Sequence, residues 1–398
     1  MRAPKDLLDP RHYQAVLRPP LEAETLPAWC YTSPAWYARE VERLFLRSWT
    51  LIGRTDRVPE PGDYVAVDYA GAAIVAVRGR DGQVRAFANA CRHRGARLLD
   101  GEGNCKLAIK CPYHSWIYGL DGALQGCDGM EDTRDFDRAR YGLRPVRLET
   151  WGGFMFVNCS DAAPPLKTWL GEIHDMILPY APEDLVCTRR KSFDLACNWK
   201  LYVENFNDLG HIPTVHKASL GKLREKYDSP CTFTHYECAQ GFTAWTPHAG
   251  TRTLLDGIDG PKGFDPIPGL PEANRKGSLY PTIFPHACFG FCIDSAWSLE
   301  IYPQGPERMR LVVSSLFHKD AVARPDFEDV AQRYYARMDV AVPEDNAINE
   351  LTQRGLAARD TTPGRIGKEE TAVNALNRWW VRRTLGLDEG GSAHGRAA

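Results

Sequence analysis

Two short segments of the chain each combine a cysteine with a histidine, side chains that bind transition metals. Cys91-Arg-His93 precedes Cys111-Pro-Tyr-His114, with seventeen residues between His93 and Cys111. Two sulfur and two nitrogen ligands on separate loops suit either a tetrahedral structural zinc or a two-iron, two-sulfur cluster with thiolates on one iron and imidazoles on the other. The spacing alone leaves both metal centres open.

A second group of metal-binding side chains follows about a hundred residues later. On one helix, Glu204, Asp208 and His211 would share a face at positions i, i+4 and i+7. Pro213 is expected to end that helix, which would let His216 turn back toward His211. Two histidines and one carboxylate form the facial ligand set of non-heme Fe(II) oxygenases. The segment therefore predicts two of the three ligands of such a site.

The first group also carries a resemblance to a known family. CRHRGARLL followed by CPYHSWIYGLDGAL resembles the Rieske cluster motif of bacterial ring-hydroxylating oxygenases. The resemblance implies that Cys91 and Cys111 hold the inner iron of the cluster, whereas His93 and His114 hold the outer iron. The loops lack the additional cysteines that form a disulfide in bc-type Rieske proteins, so the oxygenase branch is the one indicated.

The second group resembles the mononuclear-iron segment of the same family. The matching pattern is NWK at 198–200, EN at 204–205, then Asp208, His211 and His216. This resemblance implies that His211 and His216 are iron ligands and that Asn205 lies beside the iron. It also implies that Asp208 connects the site to a Rieske histidine of a neighbouring subunit. Gly210 stands where many family members have tyrosine, a difference that bears on local packing.

The third iron ligand is expected from a later segment of the chain. VPEDNAINELTQRGL resembles the family helix whose first-turn aspartate completes the triad, which corresponds to Asp345. Pro343 and the helical spacing of the apolar residues behind it favour a helix start at this point. Glu344 is the alternative ligand.

Sequence patterns typical of helices and of strands indicate the elements that must position these residues. Ser33 and Pro34 favour the start of an amphipathic helix. From 51 to 158, short apolar runs separated by turn signals predict an all-β domain, and DAAPPLKTW is the expected linker after it. Beyond it, strands alternate with helices expected at 199–210, 327–338 and 344–356.

The fold class is therefore α+β. The resemblance implies a Rieske domain and a catalytic domain with an antiparallel sheet covered by helices, of the helix-grip or START-like type. The predicted divisions are an N-terminal helical segment on the catalytic domain at 1–50, the Rieske domain at 51–158, the catalytic domain at 159–385 and a disordered tail at 386–398.

The composition of the chain disfavours several classes of partner. The formal net charge of the 398 residues is -2, which disfavours a nucleic-acid or anionic-membrane partner. No apolar run approaches the roughly 20 residues of a membrane-spanning helix. The N-terminal residues lack a secretory h-region, so a cytoplasmic location is expected.

The chain also lacks a dinucleotide-binding GxGxxG motif. Electrons must therefore come from a partner, an NAD(P)H-dependent reductase with or without a ferredoxin. The family further implies a head-to-tail homotrimer, with or without a beta subunit, because cluster and iron in separate domains of one chain would lie too far apart.

The expected function is that of a terminal oxygenase, a mono- or dioxygenase that hydroxylates or demethylates a small substrate with O2. Aromatic residues near the second group favour an aromatic substrate, as in aromatic hydrocarbon catabolism: Trp245, Tyr280, Phe284, Phe289, Phe291 and Trp297. The alternative substrate is a choline- or betaine-like quaternary ammonium compound, which aromatic rings can hold by cation-π contact. Two other classes stay open: a Rieske electron-transfer protein without oxygenation, and a zinc-binding interaction protein.

Overall fold

The computed structural model describes residues 3–217, 219–220, 231–247 and 263–388. The chain forms two compact units, of which one is Arg47–Leu166 and the other combines Met1–Leu46 with Lys167–Ala398. The domain boundaries expected at 50/51 and 158/159 stay predictions. Most of the predicted disordered tail, at 389–398, lies outside the described residues.

The unit Arg47–Leu166 is built from antiparallel strands. A seven-stranded sheet has the order β1-β10-β9-β4-β3-β2-β5, and a three-stranded sheet has the order β6-β7-β8. The strands are β1 Thr50–Arg54, β2 Asp63–Tyr69, β3 Ala72–Arg78, β4 Val84–Ala88, β5 Glu102–Asn104, β6 Ala108–Lys110, β7 Ile117–Gly119, β8 Leu124–Gly126, β9 Pro145–Trp151 and β10 Phe154–Asn158, and short 3-10 helices lie at Thr55–Arg57 and Arg138–Tyr141.

Turn chemistry explains how these short strands pair. Strands β2 and β3 are joined by Ala70 and Gly71, which both have positive φ, at 49° and 86°. Two consecutive left-handed residues form the type I′ turn that matches the twist of a hairpin. The small sheet β6-β7-β8 carries the loop from Lys110 to Ile117, which contains one of the two cysteine–histidine motifs.

The second unit contains one seven-stranded antiparallel sheet in the order β11-β17-β16-β15-β14-β13-β12. Its strands are β11 Leu185–Leu195, β12 Thr232–His235, β13 Gly241–Pro247, β14 Gly277–Ile283, β15 Ala287–Phe291, β16 Ala296–Gly305 and β17 Arg308–His318. The antiparallel pairing of both units confirms the predicted α+β class.

The helices are α1 Trp29–Thr32, α2 Pro34–Arg43, α3 Leu166–Leu170, α4 Ile173–Ile177, α5 Trp199–Asn207, α6 Ile212–Val215, α7 Lys319–Val322, α8 Phe327–Leu356 and α9 Thr371–Leu385. Further 3-10 helices span Pro10–Tyr13, Phe45–Arg47, Leu178–Tyr180, Pro182–Asp184 and Asn274–Lys276. None of the helices in the described ranges has the length and hydropathy needed to cross a membrane.

The N-terminal helix α2 is fixed to α5 by a buried ion pair. The Ser33 hydroxyl accepts the Trp36 N–H at the start of α2, as the sequence predicts. Lys200 Nζ lies 2.7 Å from Glu40 Oε1, and both side chains are completely buried. The Trp199 indole also donates to Glu40, so the start of α5 is held against the N-terminal segment.

Helix α8 corrects one sequence prediction. A helix start was expected at Pro343, but α8 runs unbroken through this proline from Phe327 to Leu356. Proline inside a helix removes one hydrogen bond and costs about 3 kcal/mol. Buried residues on both sides of Pro343 offset that cost, among them Tyr334, Ala341 and Asn349.

Helix α5 corrects a second sequence prediction. It ends at Asn207 instead of continuing to Gly210, and Asp208 already has extended backbone angles. Pro213 does not end a helix but lies in the first turn of α6, where a missing N–H costs nothing.

Candidate metal centres and cavity

The two cysteine–histidine loops have matching backbone geometry. The N–H of Cys91 donates to the carbonyl of Ala96 at 2.8 Å, and the N–H of Cys111 donates to the carbonyl of Trp116 at 2.8 Å. The fourth residue after each cysteine has a positive φ, 74° at Gly95 and 61° at Ser115. Each loop therefore turns back on its own cysteine in the same way, which directs both motifs toward one centre.

The side chains of these loops divide into a buried sulfur pair and an exposed nitrogen pair. Cys91 and Cys111 are 4% and 2% exposed. His93 and His114 are exposed, and their ring centroids lie 4.7 Å apart. Trp116 stacks on His93 at 4.8 Å with an interplanar angle of 7°. This donor set fits a two-iron cluster with an inner thiolate side and an outer imidazole side.

Tyr118 contacts the inner side of this centre. The Arg92 N–H donates to Tyr118 Oη at 3.0 Å, and the same hydroxyl lies 3.2 Å from Cys91 Sγ. Because Oη accepts from the amide, its own proton is available to the sulfur. Burial, followed by the neighbouring Cys91, raises the pKa of Tyr118, so the phenol stays protonated as this donation requires.

The second centre brings three of the predicted side chains together. His211 directly precedes α6, His216 directly follows it, and Asp345 lies on α8. One ligand atom from each lies within 4.8 Å of the other two. Asp345 Oδ1 is 3.1 Å from His216 Nε2 and 3.5 Å from His211 Nε2.

Glu344 lies on the opposite side of His216. Its Oε2 atom is 2.6 Å from His216 Nδ1 and also accepts the Ser219 hydroxyl at 2.6 Å. A carboxylate can only accept, so Nδ1 carries the proton, and in the neutral imidazole the lone pair is at Nε2. Glu344, the alternative third ligand, is thus placed behind the histidine instead of beside Asp345.

The atoms that face one another in this cluster favour a cation between them. Asp345 Oδ1 is buried and has no hydrogen-bond donor in the described part of the chain. Burial acts to raise the pKa of Asp345, but the two imidazoles outweigh it and the pKa is lowered. Burial acts to lower the pKa of His216, but Asp345 and Glu344 outweigh it and the pKa is raised. A buried carboxylate oxygen beside two imidazole nitrogens fits a 2-His-1-carboxylate iron site.

Asp208 reaches His211 through a turn, not along a helix face. Its Oδ2 atom lies 3.9 Å from His211 Nδ1, and its Oδ1 atom accepts the Gly210 N–H at 2.7 Å. A Cβ atom on Gly210 would lie 3.0 Å from Asp208 Oδ1. Glycine at this position therefore leaves room for the carboxylate.

Glu204 is directed elsewhere, although the helical pattern placed it on the same face. Its carboxylate accepts the hydroxyl of Tyr31 at 2.7 Å. Burial, opposed by Tyr31 and Lys200, raises the pKa of Glu204 to about 7. Because α5 ends before Asp208, Glu204 and His211 do not belong to one helix.

A cavity of about 840 Å³ adjoins the histidines and Asp345. Asn205 and Asp208, both predicted site residues, are part of its wall. Of the aromatic residues considered from the sequence, Tyr280 and Trp297 line it. The others are absent from the described lining: Trp245, Phe284, Phe289 and Phe291.

Three aromatic rings form one part of the wall. The ring centroids of Phe206 and Trp297 lie 5.6 Å apart, those of Tyr280 and Trp297 6.1 Å, and those of Phe206 and Tyr280 6.4 Å. Gly290 is the cross-strand partner of Trp297, and a Cβ atom there would lie 2.3 Å from the indole. The missing side chain lets the indole lie across β15.

Sequence reasoning missed Phe206 and Arg337, which also line the cavity. Phe206 directly follows Asn205 in the segment that resembles the mononuclear-iron motif, so the sequence could have indicated its place at the site. Arg337 lies two turns before Asp345 on α8, but the expected break at Pro343 separated the two residues.

Two family models match the chain. The model described as Rieske [2Fe-2S] domain matches residues 48–137. The model described as Ring hydroxylating alpha subunit (catalytic domain) matches residues 182–386. The matched ranges contain the cysteine–histidine loops and the histidine–aspartate cluster, respectively.

Similar curated proteins and solved structures agree with these models. The glycine betaine monooxygenase oxygenase subunit of Pseudomonas aeruginosa is 30% identical, over 94% of this chain and 92% of that protein. The chloroplastic choline monooxygenase of Beta vulgaris is 29% identical, over 92% of this chain and 78% of that protein. The crystal structure of the quaternary ammonium Rieske monooxygenase CntA with L-carnitine has a TM-score of 0.76 at 23% identity, covering 91% of this chain and 96% of that chain.

Proposed function

Since the chain belongs to the Rieske non-heme iron oxygenase family, as an alpha subunit of the ring-hydroxylating type, we propose that it is a monooxygenase whose substrate carries a quaternary ammonium group. Membership in this family makes the chain an oxygenase with a Rieske cluster and a mononuclear iron. When bound, these groups deliver electrons from a reductase or ferredoxin and activate O2 beside the substrate.

The proposal assigns the ligands residue by residue. Cys91 and Cys111 hold the inner iron of the cluster, and His93 and His114 hold the outer iron. His211, His216 and Asp345 hold the mononuclear iron. The burial of the sulfurs, the exposure of the nitrogens and the unsatisfied Asp345 Oδ1 support this assignment. The 51–158 and 159–385 divisions are then the Rieske and catalytic domains.

The observation that carries the substrate class is the group of rings at Phe206, Tyr280 and Trp297. All three rings are half-buried and line the cavity that adjoins the proposed iron ligands. Aromatic faces attract a cation by about 0.5–2 kcal/mol each, and a quaternary ammonium group cannot form hydrogen bonds that would compete. The named substrates of the similar proteins, glycine betaine and choline, carry this group.

The reaction proposed for the substrate is hydroxylation of a carbon next to the nitrogen. One oxygen atom of O2 enters the C–H bond, and the other leaves as water after two electrons and two protons are supplied. If the carbon is an N-methyl group, the hydroxymethyl product releases formaldehyde and leaves a tertiary amine. The rings orient the cation, while Asn205 and Asp208 contribute polar groups to the wall.

The proposal includes a head-to-tail homotrimer in which Asp208 connects His211 with a cluster histidine of the neighbouring subunit. The 3.9 Å distance between Asp208 and His211 Nδ1 supports one half of this connection. The mass in solution tests the assembly. A mass of three chains agrees with the proposal, and a mass that requires a second kind of chain would identify a beta subunit.

A panel of compounds that match in shape but differ in charge tests the substrate class. Purified protein with a reductase and NADH is given trimethylammonium compounds, their neutral tert-butyl isosteres and aromatic acids, and O2 uptake is compared with product. We expect coupled turnover of the cations only, and a raised KM for them in Trp297→Leu. Equal turnover of the tert-butyl isosteres would show that the rings only supply apolar surface. Turnover of aromatic acids alone would replace the proposal with an aromatic substrate.

A further inference from the structure

Arg337 is a positively charged residue of the cavity wall that has no partner in the part of the chain that the structure describes. It projects from α8, lines the same cavity as the three rings, and is only partly exposed. Its Nε atom is buried and makes no hydrogen bond. Within the described residues, Arg337 has no ion pair, hydrogen bond or ring contact.

Neighbouring arginines of the same unit are paired. Arg189 lies 2.8 Å from Asp339, and Arg190 lies 2.9 Å from the buried carboxylate of Glu300. A guanidinium in a cavity wall suits a carboxylate or phosphate of the ligand, because its planar fork matches two oxygens at once. The missing partner of Arg337 therefore points to an anionic group on the ligand of the cavity.

Arg337 lies away from Asp345 along α8, so an anionic group bound to Arg337 would lie away from the proposed iron. Arg337 and Asp345 are eight residues apart on α8, which is about 12 Å along the helix axis. Ala341 lies between them and also lines the cavity. Its small side chain leaves room for the ligand between the two ends.

We propose that Arg337 binds a carboxylate of the substrate, so that the substrate is a small zwitterion with a quaternary ammonium group and a carboxylate on a short chain. This inference rests on the proposed function, because the rings must hold the cationic end. Lys368 also lines the cavity, but its side chain is exposed and stays solvated without an anion.

Matched ligand pairs test the inference. The pairs are (carboxymethyl)trimethylammonium and (3-carboxypropyl)trimethylammonium, each against its primary amide. We expect kcat/KM for at least one carboxylate to exceed that for its amide by about 10- to 100-fold, the effect of a charge-assisted hydrogen bond. In Arg337→Gln the KM for the carboxylate should rise by a similar factor, while the KM for the amide stays unchanged.

Arg354→Gln is the matched control, because it removes the same charge from an exposed position on the same helix. It should keep the carboxylate preference. Calorimetric titration of the carboxylate and the amide gives a second readout that does not depend on turnover.

The possible results separate the two proposals. If no trimethylammonium compound is turned over, the proposed function fails. If carboxylate and amide are used equally well by the unmodified protein, the function stands and the role of Arg337 is wrong. The role of Arg337 is equally wrong if Arg337→Gln keeps the preference. The comparison in the unmodified protein remains decisive even if the variant does not fold.

Discussion

Glu344 accepts a hydrogen bond from His216 Nδ1 at 2.6 Å, on the side of the imidazole that faces away from Asp345. Asp345, the next residue of α8, approaches Nε2 of the same ring at 3.1 Å. Two consecutive residues of one helix thus lie against the two nitrogens of one imidazole. Glu344 fixes the tautomer in which Nε2 can bind a metal, and Asp345 is the carboxylate ligand that we propose beside it.

Replacing Glu344 tests this arrangement. We expect Glu344→Gln to weaken iron binding at the mononuclear site by about 10- to 100-fold, because carboxylates behind ligating histidines orient them and raise their basicity. The measurement is the iron content after equilibration with a competing chelator, with the cluster spectrum as internal reference. Glu328→Gln, an exposed replacement on α8, should bind iron normally. Unchanged iron affinity in Glu344→Gln would show that the ring needs no such support.

Tyr118 is expected to set the reduction potential of the cluster. Hydrogen bonds to cluster sulfurs stabilise the reduced, more negative state. Tyr118→Phe removes one hydrogen bond worth about 1 kcal/mol, which corresponds to a potential lowered by about 40 mV for one electron. A redox titration followed by electron paramagnetic resonance measures it. A potential equal to that of the unmodified protein would mean that the hydroxyl does not donate to Cys91.

Asp208 is expected to transfer electrons between subunits without holding the iron. Asp208→Asn keeps the size of the side chain and removes its charge, so the iron, the cluster and the proposed trimer should survive while electron transfer from cluster to iron slows. In a single-turnover experiment, the cluster is reduced, O2 and substrate are added, and cluster oxidation is followed together with product. Oxidation at the normal rate with normal product yield would exclude this route.

Titration of the Glu204 carboxylate is expected to make the free energy of unfolding depend on pH. Its pKa is raised from 4.5 to about 7 in the folded chain. The folded state therefore binds more protons than the unfolded state in this window, and stability falls as the pH rises from about 4.5 to 7. Glu204→Gln keeps an oxygen for Tyr31 and removes the titration. We expect a smaller drop in Tm between pH 5 and 8 than in the unmodified protein or in the exposed control Glu237→Gln. An equal drop would show that Glu204 does not titrate in this range.

The proposed metal ligands could be selected from the sequence because ligation demands particular residue types at close spacing. Cys91, His93, Cys111 and His114 stand in two compact loops, and loop geometry depends on only a few neighbours. The α+β class could also be predicted, since turn signals and strand patterns are local.

The remaining features depend on tertiary contacts. Pro343 looks like a helix start by local rules, yet packing on both sides continues α8 through it. Arg337 carries no sequence signal, because its lack of a partner among the described residues is visible only in the folded structure. The position of Trp297 depends in turn on Gly290, a residue of the adjacent strand.

The iron content of the His216→Ala variant tests most directly whether His211, His216 and Asp345 hold the mononuclear iron. We expect about three irons per chain in the unmodified protein, two in the cluster and one in the mononuclear site. The His216→Ala variant should retain about two, with an unchanged Rieske resonance signal and no product. A variant that keeps the third iron and turns over substrate would contradict the account.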